Sequence, residues 1–317
     1  MRADSGARAR FAELVASLRA PVVAAPMFLV SGPEMVVAAC RAGIVGAFPT
    51  PNARTMDDLE EWLGEIVSQV GGASGTWAVN MIVHRTYDRL DRELALLADA
   101  APPLVIAALG NPRRVVDETH AWGGLVLADV SSPDQARRAL NAGADGLVVV
   151  CAGAGGHTGQ YSPFALLSEI RGFWDGPLVA GGGVGAGAGV LAMQVLGADL
   201  VTVGTRFLAT SESRACVGHQ ELVIGSDIED IVTSDSVTGV PASWLRSSLE
   251  RHATNGVPME AIDFSGDIGE SKAWRDVWSA GQAVGAVRST ESLGEAVDVL
   301  AREYGAARAR YCERPHS

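Results

Sequence analysis

The sequence predicts an α/β protein built as a closed (β/α)8 TIM barrel, with a small, mostly helical insertion after the eighth strand. Three observations carry that expectation. Eight short apolar runs recur at strand–helix intervals, helix-start signals follow several of them, and little antiparallel hairpin signal separates them.

The first run, 22–25, precedes Gly32-Pro33, where a capping residue stands before a proline at the first helical position. The second, 44–48, leads into Met56–Val70. There Leu59, Leu63, Ile66 and Val70 follow three- and four-residue steps and make one apolar stripe. Thr55 before the stripe and Asp58 three residues on form an N-terminal capping arrangement. Runs 77–83, 104–109 and 125–130 come next, the last two leading to Asn111-Pro112 and Ser132-Pro133, which repeat the helix-start signal. Run 147–150 is β-branched and buried in character, and Ser162-Pro163 opens the helix after it. Runs 178–180 and 200–203 complete the set.

The barrel is expected over residues 12–215. From 216 to 280 the rhythm changes, with Gly239-Val240-Pro241, Asn255-Gly256 and 264–269 reading as loops of a helical insertion near the barrel mouth. Trp244 and Leu245 are expected to line the pocket beneath it. Residues 281–313 then supply a C-terminal helix, amphipathic over 291–304, that completes the barrel. An open Rossmann-like sheet is the alternative, but no Gly-x-Gly-x-x-Gly loop follows the first strand.

Composition narrows the chemistry. The 317 residues are 48% hydrophobic and 20% charged, enough for a sizeable globular core. A net charge of -12 argues against nucleic acid and against an anionic membrane surface as partners. The cysteines, Cys40, Cys151, Cys216 and Cys312, show no Cys-x-x-Cys pair and no zinc-ligand spacing with histidine. No apolar signal core opens the chain and no apolar run is long enough to span a bilayer, so a reduced, cytoplasmic setting is expected. Lys272 is the only lysine and lies far from any glycine loop, which argues against Schiff-base and pyridoxal-phosphate chemistry.

Unusual residues gather where the strands end, the active-site face of such barrels. Ala25-Pro26-Met27 follows the first strand, Asn80 interrupts the apolar third, and Asp129 sits at the end of the fifth. The sixth ends in 151–159, a glycine–alanine loop containing Ala154, Gly155, Gly156 and His157. Glycine lets backbone N–H groups approach a flat or anionic ligand, and His157 is the one side chain there that exchanges a proton near neutrality. Gly181-Gly182-Gly183 after the seventh strand and Gly204-Thr205-Arg206 after the eighth match the usual barrel phosphate site. Thr205 is expected to donate its hydroxyl there and Arg206 to supply charge. Together these residues imply a phosphate-bearing cofactor or substrate across the mouth, with His157 facing its reactive part.

At these residues the chain resembles the nitronate monooxygenases, formerly called 2-nitropropane dioxygenases, and the flavin-dependent oxidoreductases around them. Ala25-Pro26-Met27, Asn80, the Gly155-Gly156-His157 loop, 180–183 and 203–209 carry the resemblance, with 234–241 and 273–282 further along. Phe28 stands where many members have glutamine, and 47–55 departs from the better known segments. The resemblance implies bound FMN, with its phosphate on the last two strand loops and its ring near the first strand and His157. It implies no metal. His157 is implied as catalytic base in a reaction that oxidises an alkyl nitronate with O2 to a carbonyl compound and nitrite. The alternative is an NAD(P)H-dependent enoyl-thioester reductase or related dehydrogenase on the same scaffold. A flavin-binding protein without turnover would leave His157 without a task. Sequence leaves the assembly open, with a homodimer as the candidate.

Overall fold

The computed structural model describes residues 1–254 and 276–313. Eight parallel strands close into a barrel: β1 (Val22–Ala24), β2 (Val45–Pro49), β3 (Thr76–Ile82), β4 (Leu104–Ala108), β5 (Leu125–Val130), β6 (Gly146–Val150), β8 (Leu178–Gly181) and β9 (Leu200–Val203). Each pairs with the next, and Val22↔Val201 through Ala24↔Val203 shut the ring between β1 and β9. The expected barrel is therefore observed and the open sheet is not. Buried, β-branched runs make these strands because both faces are covered, one by the barrel interior and one by helices.

Inward-facing Val23, Val45, Leu104, Leu127, Val179 and Leu200 fill the interior. The same cluster includes Ala7 and Phe11 of the first helix, α1 (Ser5–Ser17), which packs across the barrel floor. The chain thus contributes to the barrel core before residue 12. The outer layer comprises α2 (Pro33–Arg41), α3 (Met56–Val70), α4 (Leu90–Ala100), α5 (Arg113–Ala121), α6 (Pro133–Asn141), α7 (Pro163–Arg171) and α8 (Gly187–Val195). Thr55 and Asp58 form the full reciprocal capping box of α3. Ser132 caps α6 through Gln135 N, whereas Ser162 makes no side-chain cap at α7. At the Asn111-Pro112 signal the helix is assigned from Arg113, and Asn111 Oδ1 accepts from Arg113 N at 3.0 Å, the bond an N-terminal capping side chain makes.

The C-terminal helix, Leu293–Glu313, packs against α8 and α2 and takes the eighth helix position. Contact with α8 is close enough that a Cβ at Gly187 would collide with backbone atoms of Leu300 and Tyr304.

After β9 come α9 (Val217–Ile224) and α10 (Arg246–Thr254), but also strands the sequence did not announce. β10 (Ile231–Ser234) and β11 (Ala242–Leu245) are antiparallel, and β11 also pairs with β7 (Gly156–His157) inside the loop after β6. Asn255-Gly256, 264–269 and Lys272 lie outside the described residues, as does most of the 273–282 segment's first half. No helix among the described residues is long and apolar enough to cross a membrane.

Candidate active site at the barrel mouth

A cavity of about 1070 Å³ opens at the C-terminal ends of the strands. Of the site residues anticipated from the sequence, these line it: Ala25, Pro26, Met27, Asn80, Asp129, Ala154, Gly155, Gly156, His157, Gly181, Gly182, Gly183, Gly204 and Thr205. Small-molecule sites usually occupy roughly 300–1,000 Å³, so this one has room for a cofactor and a substrate together.

The wall after β1 is a loop held by two buried side chains absent from the sequence-based set. Ser31 Oγ accepts from Met27 N at 2.9 Å and donates to Ala25 O at 3.1 Å. Asn52 Nδ2 donates to Met27 O (3.0 Å) and Ser31 O (2.8 Å), while its Oδ1 accepts from Leu29 N at 2.9 Å. These bonds hold Leu29 at φ 62°, a left-handed conformation a leucine does not adopt unaided. Behind Asn52, Thr50 Oγ1 donates to buried Glu93 Oε2 at 2.7 Å, Tyr87 OH donates to Oε1 at 2.6 Å, and Arg89 Nε lies 3.2 Å from Oε1. Burial pushes the Glu93 carboxyl up and these donors pull it back. Asn52 carried no sequence signal beyond its place in a proline-rich turn.

Asn80 projects from β3 and donates to Ile106 O on β4 at 3.3 Å. Asp129 on β5 faces the cavity deep in the barrel, and desolvation pushes its carboxyl up to about 7. It is thus a group that holds or yields a proton near neutral pH.

His157 sits in a loop clamped from two sides. On one side, β7 pairs with β11 through Ala242↔His157 and Ser243↔Gly156, and Thr158 N donates to Pro241 O at 3.2 Å. On the other, Gln282 N donates to Gly153 O at 2.9 Å, and a Cβ on Gly155 would lie 2.7 Å from Gly281 N. Gly153 (φ 91°) and Gly156 (φ 64°) make the turns that a side chain would strain. Burial lowers the His157 pKa, so the imidazole is neutral at pH 7.

The loops after β8 and β9 face this one. Gly182 (φ 139°) presses on the Cys151 and Ala152 carbonyls, where a Cβ would come within 2.9 and 2.7 Å. Gly183 (φ 68°) has open space at the Cβ position, so bare backbone faces the cavity. Thr205 Oγ1 accepts from Gly281 N at 2.9 Å and lines the cavity. Arg206 does not: it is buried behind the loop, 2.6 Å from Glu291 Oε1 and donating to Ala286 O at 3.0 Å. Its charge is neutralised by a partner remote in sequence, which corrects the expectation that it serves a phosphate. Among the described residues, the arginines that line the cavity are Arg54, Arg138 and Arg214. Arg138 pairs with Asp134 (2.7 Å) and Arg214 with Glu34 (3.1 Å).

Trp244 and Leu245 are a second correction. Both are fully buried in the insertion and neither lines the cavity. Alternation along β11 turns Ala242 and Trp244 into a satellite core with Val237 and Val277. The insertion lines the cavity instead through Val240, Val277, Trp278 and Ser279, beside His219 of α9. Cys151 is buried, its thiol pushed up to about 12, and serves as packing.

The chain is similar to known proteins along most of its length. A family model described as "Nitronate monooxygenase" matches residues 11–303. The chain is 30% identical over 247 residues to a (3aS,4S,5R,7aS)-5-hydroxy-7a-methyl-1-oxo-octahydro-1H-indene-4-carboxyl-CoA dehydrogenase of Rhodococcus jostii, covering 76% of this chain and 67% of the relative. It is 32% identical over 228 residues to nitronate monooxygenase NpaC of Metarhizium robertsii, covering 64% and 62%. Matches to these curated relatives thus span about two thirds of their length. The crystal structure of nitroalkane oxidase from Streptomyces ansochromogenes superposes with a TM-score of 0.81 at 26% identity, covering 95% of this chain and 99% of that one.

Proposed function

The chain belongs to the nitronate monooxygenase family of oxidoreductases, and we propose that it is an FMN-dependent enzyme that oxidises alkyl nitronates with O2 to carbonyl compounds and nitrite. The observation that carries this reading is the placement of a neutral, doubly clamped His157 in one cavity with the glycine loops of β8 and β9.

The residues present fit FMN. Gly181, Gly182, Gly183, Gly204 and Thr205 form a cradle of backbone and one hydroxyl suited to a phosphate, with no lysine needed. Ala25, Pro26, Met27 and Asn80 offer a flat wall and a polar edge for the ring, and Ala154, Gly155 and Gly156 present bare backbone beside it. Asp129 offers a carboxyl that is partly protonated at pH 7. Bound FMN supplies the electron acceptor. The chain's own tasks are to hold that ring, to exclude bulk water beneath the insertion, and to place the His157 imidazole where it takes the α-proton of a neutral nitroalkane, leaving the nitronate that is oxidised. A general base must be unprotonated when substrate arrives, and burial keeps His157 so.

A second reading is an NAD(P)H-dependent enoyl-thioester reductase or related dehydrogenase. Favouring it are the relative named for a carboxyl-CoA substrate and a cavity larger than a simple nitroalkane needs. Anaerobic titration of the purified protein separates the two. A flavin spectrum bleached by an alkyl nitronate and not by NADH or NADPH is the expected result. Rapid bleaching by NAD(P)H alone selects the second reading, and a protein that binds no flavin removes both.

A further inference from the structure

A second buried histidine lines the cavity, His219 in the first turn of α9. Its Nε2 donates to Ser279 O at 2.9 Å; a carbonyl only accepts, so this bond fixes the proton on Nε2. The ring stacks on Trp278, with centroids 5.6 Å apart and planes 11° from parallel. Burial lowers the His219 pKa, so the ring is a neutral donor at pH 7 and needs no counter-ion.

What the bond holds is the strap 278–282, which runs into the 3-10 helix Gln282–Ala286. Trp278 O accepts from Leu245 N at 3.0 Å, and Trp278 N donates to Ser248 Oγ at 2.9 Å. Beyond Ser279, Gly281 N reaches Thr205 Oγ1 and Gln282 N reaches Gly153 O, both at 2.9 Å. Gly155 fits against Ala280 and Gly281 with no room for a Cβ. One strap therefore joins the loop bearing His157 to the loop bearing Thr205.

We propose that His219 is a positioning residue of the active site: through Ser279 it sets the strap that spaces the His157 loop from the Thr205 loop. The inference rests on the flavin reading for its catalytic consequence, but not for its test.

Amide hydrogen exchange of the purified protein, read for peptides covering 151–159 and 278–282, decides it without any ligand. His219→Phe keeps the aromatic stack and deletes the donor. It should accelerate exchange in both peptides about tenfold, the loss of one hydrogen bond, and leave β3 and α3 unchanged. His219→Gln, whose amide nitrogen reaches the place of Nε2, should restore protection. With FMN and a neutral nitroalkane, H219F should lower kcat about tenfold with KM changed less than threefold, and H219Q should recover kcat. T205V cuts the strap's other tie, so H219F and T205V should be less than additive on FMN affinity. Should H219F fail to fold, H219N, whose shorter side chain falls short of Ser279 O, takes its place. Unchanged exchange in both peptides, or H219Q as defective as H219F, overturns the proposal. A wild-type protein that binds no FMN sinks the flavin reading, while the exchange data still decide the role of His219.

Discussion

His157 and Ala242 are strand partners: the residue expected to handle the proton lies in a sheet with the insertion that follows the barrel. Its backbone is thus fixed by a segment that is not part of the (β/α)8 repeat. β11 is the central strand of its three-stranded sheet, so a proline there removes a ladder donor. Ala242→Pro should lower turnover at least about tenfold while the visible spectrum of bound flavin persists, a misplacement effect rather than loss of the site. Steady-state rates normalised to flavin content check this, and an unaltered kcat would show that the pairing does not position His157.

Two neighbouring glycines should behave differently. Gly182→Ala drives a methyl against the Ala152 and Cys151 carbonyls and should destabilise the fold and abolish flavin binding. Gly183→Ala meets no protein atom within 4 Å and bears only the cost of its φ of 68°, roughly 1–2 kcal/mol. Its methyl points into the space a phosphate would take, so FMN affinity should fall much more than thermal stability. Thermal melts of flavin-free protein beside FMN titrations separate the effects; equal losses in both would argue against a phosphate at Gly183.

Asp129 gives a pH signature. Its carboxyl is pushed up to about 7 in the folded protein, against about 3.9 for an unfolded chain. Between those values the folded state holds the proton that the unfolded state has lost. Stability from this group is therefore fully present below about 3.9 and declines as pH rises through about 7. Asp129→Asn should stabilise the flavin-free protein by about 1–3 kcal/mol at pH 8, with the gain shrinking toward pH 4. Melting temperatures across that range are the check, and a gain that does not vary with pH would place the Asp129 charge elsewhere.

The barrel and the residues that line its mouth were legible because each rests on local chemistry. Buried parallel strands need continuous β-branched runs such as 147–150, and strand-end loops need glycine wherever backbone approaches a ligand. What stayed hidden depends on partners distant in sequence. Gly156-His157 has no intrinsic strand preference and becomes β7 only because β11 lies alongside. Arg206 read as a phosphate ligand until Glu291 drew it behind the loop. Trp244 and Leu245 read as pocket walls because nothing in β11 says which neighbours cover it. Asn52 and His219 look like ordinary loop and helix residues until the carbonyls they hold, Met27 O and Ser279 O, are brought to them.

His157 is proposed as the base of a flavin site. Its most direct test compares wild type and His157→Asn with FMN bound, using a neutral nitroalkane and its preformed nitronate across pH. Burial holds the His157 pKa below the ordinary imidazole value, so wild-type kcat/KM on the neutral nitroalkane should be lost only as pH drops below that ordinary value. His157→Asn should lose roughly 10²–10⁴ on the neutral nitroalkane while retaining FMN and far more of its nitronate turnover. Unchanged turnover of the neutral nitroalkane by His157→Asn, with FMN still bound, would contradict the account.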